Sequence, residues 1–107
     1  MDVRFGEWVP LAQGAARAPR GPGVYQVKLS SGLIDYPTGR SAMIHYGAEE
    51  DVARAVAALA EAHPGRPWMV RFAEGLEARG RADLDGMLHE LMSRFRRRFG
   101  APPSLPR

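Results

Sequence analysis

The sequence contains no cysteine, which excludes disulfide bonds and thiolate metal sites. It also lacks the roughly 18 consecutive apolar residues that a membrane-spanning helix requires. Residues 1–4 carry mixed charge and no apolar segment of the kind found in signal peptides. We therefore expect a protein of a reducing compartment, with a cytoplasmic location and no association with a membrane.

Several common catalytic patterns are missing as well. There is no Gly-x-Ser-x-Gly motif, no cysteine nucleophile and no glycine-rich loop that would cradle a phosphate. The three histidines do not have the spacing of metal ligands. These absences leave serine hydrolase, thiol protease and P-loop chemistry without support.

Length and charge set the scale of the protein. The 107 residues have a net charge of +3 and provide room for one domain, which we expect over residues 1–107. Within it, we take residues 1–19 as an N-terminal extension and residues 20–106 as the core. The sequence shows neither internal repeats nor low-complexity tracts.

Three segments are rich in β-forming residues and are predicted to be strands: Val24–Leu29, Ala42–Tyr46 and Trp68–Phe72. The first follows a strong turn signal at 19–23. Turn signals at 30–32 and 37–39 separate the first two strands, which we expect to pair as a hairpin. The connection between them leaves room for a further short pairing at 33–36.

Two segments have the periodicity of amphipathic helices, Glu49–Ala62 and Asp83–Phe99. Acidic residues at 49–51 favour a helix start there, and Gly100 with Pro102 favours an end. The resulting order, β-β-α-β-α, predicts a small α+β domain in which the strands form an antiparallel sheet packed against two helices.

Arginines crowd the end of the second helix: Arg94, Arg96, Arg97 and Arg98. Such a patch binds phosphates in nucleic-acid-binding proteins. Cations at the C-terminus of a helix also complement its dipole while they remain solvated. The sequence leaves both interpretations open.

Three short motifs follow one another along the chain. Gly23-Val24-Tyr25 follows a proline-rich turn, His45-Tyr46-Gly47 closes the second strand before a helix, and Glu90 lies on the last helix before Gly100 and Pro102. In this order, over residues 20–106, the chain resembles the GIY-YIG nuclease superfamily.

The resemblance implies a small three-stranded antiparallel sheet flanked by helices, and metal-dependent cleavage of phosphodiester bonds in DNA or RNA. Tyr25 and His45 would then handle the attacking water, and Glu90 would hold Mg²⁺ or Mn²⁺, which prefer oxygen ligands. In the absence of this role, Tyr25 is a core aromatic residue, His45 a strand histidine bonded to its neighbours, and Glu90 a partner of Arg94 one helical turn away.

The chain departs from the family at several places: nineteen residues separate Tyr25 from His45, more than is usual, and Tyr46 occupies a usually aliphatic position. His45 replaces the second tyrosine, and an imidazole can accept a proton near neutral pH. Ala55 occupies the position of the family's arginine; the neighbouring Arg54 points away from the apolar stripe, since helical neighbours differ by about 100°. The family's terminal asparagine is absent. Three functions therefore stay open: a nuclease, a catalytically degenerate module that binds nucleic acid or a protein partner, or an interaction domain with no nucleic-acid role.

Nucleic acid is the expected partner, and a protein partner would supply specificity that a chain of this size lacks. The candidate phosphate-binding residues are Arg40, Arg54, Arg71, Arg94 and Arg97. Surface arginines are more often only solvated, which is the alternative for each of them.

Overall fold

A computed structural model describes residues 3–76 and 78–106 of the chain, and it has an α+β architecture. Its elements, in chain order, are β1 Val9–Pro10, α1 Leu11–Arg17, β2 Gly23–Leu29, β3 Ile34–Tyr36, β4 Gly39–Ser41, β5 Met43–Glu49, α2 Val52–Ala62, β6 Trp68–Phe72 and α3 Arg81–Phe99. Within the described ranges, no helix is both long and apolar enough to cross a membrane.

The main sheet has four antiparallel strands in the order β1-β6-β2-β5. Strand β2 lies inside it, paired with β5 on one side and with β6 on the other. The three predicted strands therefore form and run antiparallel. The fourth strand is β1, which pairs with β6 and lies within the segment that the sequence analysis treats as an extension.

Strand β5 extends further than predicted, and α2 starts later. Glu49, assigned to the first turn of a helix from the sequence, pairs with Gly23 at the end of β5. Asp51 is the N-cap of α2, where its Oδ1 accepts a hydrogen bond from the backbone N–H of Arg54 at 3.1 Å. The acidic triplet is thus divided between a strand end and a helix cap.

Helix α1 is the other element that the sequence analysis misses. Its Leu11 is buried, and Gly14 has no side chain, so the helix packs closely against Val56 of α2 and Val70 of β6. The connection between β2 and β5 forms its own two-stranded sheet of β3 and β4, in agreement with the short pairing considered at 33–36.

The two faces of the sheet carry separate cores. Along β2, Tyr25 points to a cluster that contains α1 and α2 residues, whereas Val24 points to a cluster that contains Leu84 and Met87 of α3. We call these the α2 face and the α3 face. Any side chain on β2 or its neighbours therefore belongs to one of two environments, according to its place in the alternation.

The close approach of α1 leads to a test of the core. A Cβ at Gly14 would lie 2.7 Å from Cγ1 of Val70 and 2.8 Å from Cγ1 of Val56, both fully buried. We expect Gly14→Ala to lower the free energy of unfolding by about 1–3 kcal/mol through overpacking. Gly86 in α3 has no atom within 4 Å of its Cβ position, so Gly86→Ala should raise it by about 0.5–1 kcal/mol. Urea denaturation measures both, and effects of the same sign would contradict this packing.

Candidate active site

Two of the predicted catalytic residues meet on the α2 face of the sheet. Tyr25 on β2 lies opposite Gly47 on β5, and its ring occupies the space above that glycine. The Tyr25 hydroxyl oxygen, Oη, lies 3.2 Å from Nε2 of His45, within hydrogen-bonding distance. The GVY and HYG motifs are thus brought together by strand pairing, with glycine providing the room for the tyrosine.

A carboxylate that the sequence analysis overlooks lies on the same strand face. Residues 45, 47 and 49 of β5 alternate to one side, which places Glu49 on the α2 face with His45 and Tyr25. Burial has the larger effect on both pKa values, and the negative charge of Glu49 adds to the rise for Tyr25 and partly offsets the lowering for His45. We call His45, Tyr25 and Glu49 the edge cluster, because β5 is an edge strand of the sheet.

Burial shifts the pKa values of Tyr25 and His45 in opposite directions. It raises the pKa of Tyr25 to about 12, with a further contribution from Glu49, so the side chain stays a neutral phenol near pH 7. Burial lowers the pKa of His45, and Glu49 opposes this only in part. At neutral pH the cluster therefore combines a neutral imidazole, which can accept a proton, with a phenol that can donate one.

An open concavity adjoins the edge cluster between the end of β5, the first turns of α2 and the start of α3. Its lining residues are Glu49, Glu50, Asp51, Arg54, Ala55, Ala58 and Arg81. Two contacts fix the position of Arg81. Its Nη1 donates a hydrogen bond to the carbonyl oxygen of Ala48 at 3.1 Å, and its Nε lies 3.1 Å from Oδ1 of Asp85.

Arg54 is exposed, as its helical phase predicts, yet it lines this concavity. It reaches this space without a shift in helix register, because the concavity wraps around the N-terminus of α2, and its phosphate-binding role stays a prediction. Two arginines, Arg54 and Arg81, therefore border the space beside Ala55. Arg81 escapes sequence reasoning because it lies on a different helix from the position at which the family carries its arginine.

The third predicted catalytic residue, Glu90, lies elsewhere. It is on α3, which packs against the opposite face of the sheet from Tyr25 and His45. Its carboxylate is half-exposed and forms a hydrogen-bonded ion pair with Nη2 of Arg94. The alternative considered from the sequence, a pair one helical turn apart, is the contact that forms, and the metal-binding role of Glu90 stays a prediction.

A divalent cation would find few ready-made ligands here. Among the described residues, no group of three or more His, Cys, Asp or Glu side chains is arranged to hold a metal ion. Magnesium nevertheless keeps several waters and is often bound through one or two carboxylates. Glu49 fits that requirement, because it supplies a hard oxygen donor beside the concavity and the Tyr25–His45 pair.

The other predicted phosphate-binding arginines are dispersed. Arg40 lies 3.1 Å from Asp35 in the β3–β4 sheet, where both side chains are largely exposed. Arg97 is exposed on the last turn of α3. Arg71 lies on the α3 face, where its Nε donates to Oε1 of Gln26 at 2.8 Å. None of these three lines the concavity beside the edge cluster.

Comparisons of the chain with protein-family models, with curated proteins and with solved structures give no match. The resemblance to the GIY-YIG superfamily therefore rests on the sequence motifs at 23–25 and 45–47 and on the later glutamate helix.

Proposed function

We propose that this chain is a GIY-YIG-like domain that cleaves phosphodiester bonds of nucleic acid in a metal-dependent reaction at the edge cluster. The observation that carries the proposal is the 3.2 Å contact between Oη of Tyr25 and Nε2 of His45. A neutral imidazole held by a phenol next to a carboxylate is a combination suited to general acid–base chemistry on water and phosphate.

In this proposal, His45 accepts the proton of the attacking water. With Nε2 protonated, its N–H donates to Oη of Tyr25, and the lone pair of Nδ1 is available as the base. The phenolic proton of Tyr25 is then free to donate to a phosphoryl oxygen. Arg54 and Arg81 border the concavity and would contact the phosphate.

Glu49 would hold the divalent ion, Mg²⁺ or Mn²⁺. The bound ion would supply electrostatic stabilisation of the phosphoryl and leaving-group oxygens. Glu49 replaces Glu90 in this role because it lies on the same face of the sheet as Tyr25 and His45. Glu90 lies on α3, which packs against the opposite face.

The role of His45 is tested by nicking of supercoiled plasmid and of a structured RNA in the presence of Mg²⁺ or Mn²⁺. His45→Ala should lower the rate by about 100-fold or more if the imidazole is the general base. Burial lowers the pKa of His45 below its usual 6.5, so the wild-type rate should persist below pH 6.5 and fall only as the imidazole becomes protonated. His45→Tyr should shift this acid limb.

His89→Ala is the matched control, because His89 is exposed on α3. Its rate and pH profile should equal those of the wild type. Equal rates for the His45→Ala and His89→Ala proteins would contradict a base at position 45.

A second function, a binding module without catalysis, is favoured by Ala55, which leaves the usual arginine position empty of charge. Under that alternative, no metal supports nicking, while binding of nucleic acid persists and weakens steeply with salt. Charge reversal at Arg94 and Arg97 flattens that salt dependence if the end of α3 contacts phosphates.

A further inference from the structure

A group of basic and aromatic side chains lies on the α3 face of the sheet, away from the edge cluster. Lys28 on β2 and Arg71 on β6 both approach the ring of Trp8, with Nζ 4.6 Å and Cζ 4.5 Å from its centroid. Arg71 also lies 4.7 Å from the ring of Phe5. We call Phe5, Trp8, Lys28 and Arg71 the cation–aromatic cluster.

The position of the cluster follows from strand alternation. On β2, Val24, Gln26 and Lys28 point to the α3 face, and the pairing of Gln26 with Arg71 places the arginine on that face too. Helix α3 covers the Val24 end, where Leu84 and Met87 belong to the same buried group. Lys28 lies at the other end of the strand, and Trp8 immediately precedes β1 beside it.

The two cations have no carboxylate partner among residues 3–76 and 78–106. The ion pairs in this part of the chain use other cations, namely Arg40, Arg79, Arg81 and Arg94. Nε of Arg71 donates to Gln26, and the hydrogen bonds of the described residues leave its Nη1 and Nη2 groups without a protein acceptor. No buried side-chain nitrogen or oxygen in these residues lacks a partner, so the free N–H groups face solvent.

This arrangement has a chemical preference. Arg71 is partly buried, and burial lowers its pKa, which means that its charge is incompletely solvated. A guanidinium fixed through Nε and stacked on aromatic rings presents its remaining N–H groups in the planar geometry that phosphate oxygens match. Lys28 adds a second positive charge next to the same indole ring.

We infer that the cation–aromatic cluster binds single-stranded nucleic acid, with Lys28 and Arg71 on the phosphate backbone and the ring of Trp8 against an unpaired base, while Phe5 packs on the core of the α3 face and supports Arg71. Basic side chains interleaved with aromatic rings are the combination that single-strand-binding proteins use, because each base offers a face for stacking. Duplex DNA would satisfy the cations but would leave the ring of Trp8 without a base to stack on. The inference deepens the proposed function by adding a second contact surface, which takes an unpaired stretch of the nucleic-acid substrate.

The test is fluorescence anisotropy of a labelled 12-nucleotide strand, with the full chain, over a series of salt concentrations. We expect Lys28→Gln and Arg71→Gln each to weaken binding and to reduce the slope of log K against log salt by about 0.7, the value for one phosphate contact on a single strand. Trp8→Leu should weaken binding roughly tenfold through lost stacking. A duplex of the same sequence should bind more weakly than the single strand.

Arg17→Gln is the matched control, since it removes one exposed positive charge from the last turn of α1. Arg71→Lys keeps the positive charge but removes the planar guanidinium, so it should keep the salt slope and lower the affinity. Unfolding curves for each variant establish that it is folded. The inference is overturned if Arg17→Gln weakens binding as much as Lys28→Gln, if the Trp8→Leu protein binds like the wild type, or if the duplex binds more tightly than the single strand.

These experiments distinguish a failure of the binding inference from a failure of the proposed cleavage. His45→Ala, on the opposite face of the sheet, should bind the single strand with wild-type affinity even where nicking is lost. Nicking absent from the wild type with cluster-dependent binding present removes the proposed function and keeps the inference. If nicking is present but Lys28→Gln and Arg71→Gln leave binding unaffected, the inference is removed and the proposed function is kept.

Discussion

Replacing Gly47 by alanine should lower the free energy of unfolding by about 3 kcal/mol, the upper end of the usual cost of overpacking a core. A Cβ at this position would lie 2.4 Å from Cε1, 2.5 Å from Cζ and 2.7 Å from Oη of Tyr25. The ring has little room to move, because it is only 3% exposed and packs with the fully buried Val27 and Val52. Urea denaturation of the two proteins measures the loss.

A second substitution tests whether Tyr25 is the side chain with which a Cβ at position 47 collides. Tyr25→Leu removes the atoms that a Cβ at position 47 would meet, so Gly47→Ala should cost less by about 1 kcal/mol or more in that background. A double-mutant cycle measures this coupling. Equal costs of Gly47→Ala with tyrosine and with leucine at position 25 would contradict the packing of the ring over the glycine.

This packing gives a physical reason for the pairing of the GVY motif with the HYG motif. The glycine that closes HYG is required because the tyrosine of GVY lies across it on the neighbouring strand. Gly47→Ala should therefore also separate Tyr25 from His45 and reduce any nicking activity. The motifs are coupled through one contact in the sheet, although they lie far apart in the sequence.

The parts of the fold that were predictable from the sequence are those with a clear period. Strands β2, β5 and β6 and helices α2 and α3 each have enough residues for alternation or an apolar stripe to be recognised. Strand β1 has two residues, too few for any pattern, and α1 contains a glycine that packing requires but helix propensity disfavours. Tertiary contacts decide both elements.

The candidate site was predictable only where strand pairing determines it. Tyr25 and His45 were recognised as motif residues, and their contact follows from the pairing of β2 with β5. Glu49 was missed because an acidic run before an apolar stripe is typical of a helix start, whereas pairing with Gly23 keeps it in the strand. The face on which Glu90 lies depends on how α3 crosses the sheet, which no local pattern specifies.

The cation–aromatic cluster shows the same limitation. Arg71 was a candidate from its residue type and strand, but its aromatic neighbours Phe5 and Trp8 belong to a segment that the sequence analysis treats as an extension. They reach Arg71 because β1 pairs with β6 and brings the N-terminal residues onto the sheet. A strand of two residues thus positions a surface that composition alone does not reveal.

The central claim is that chemistry takes place at the edge cluster, with Glu49 and not Glu90 as the ligand of the divalent ion. Glutamine keeps the size of either side chain and removes the charge that a hard cation requires. We expect Glu49→Gln to lower the nicking rate by about 100-fold or more, the scale of losing electrostatic stabilisation in the transition state. Glu90→Gln loses only an exposed ion pair with Arg94 and should nick within about threefold of the wild type.

The measurement that decides this is a Mg²⁺ titration of plasmid nicking by the wild type, Glu49→Gln and Glu90→Gln at equal protein concentration. We expect nicking to require the metal, to be retained in Glu90→Gln and to be lost in Glu49→Gln. Activity that is lost in Glu90→Gln and retained in Glu49→Gln would contradict the account and assign the metal to the α3 face.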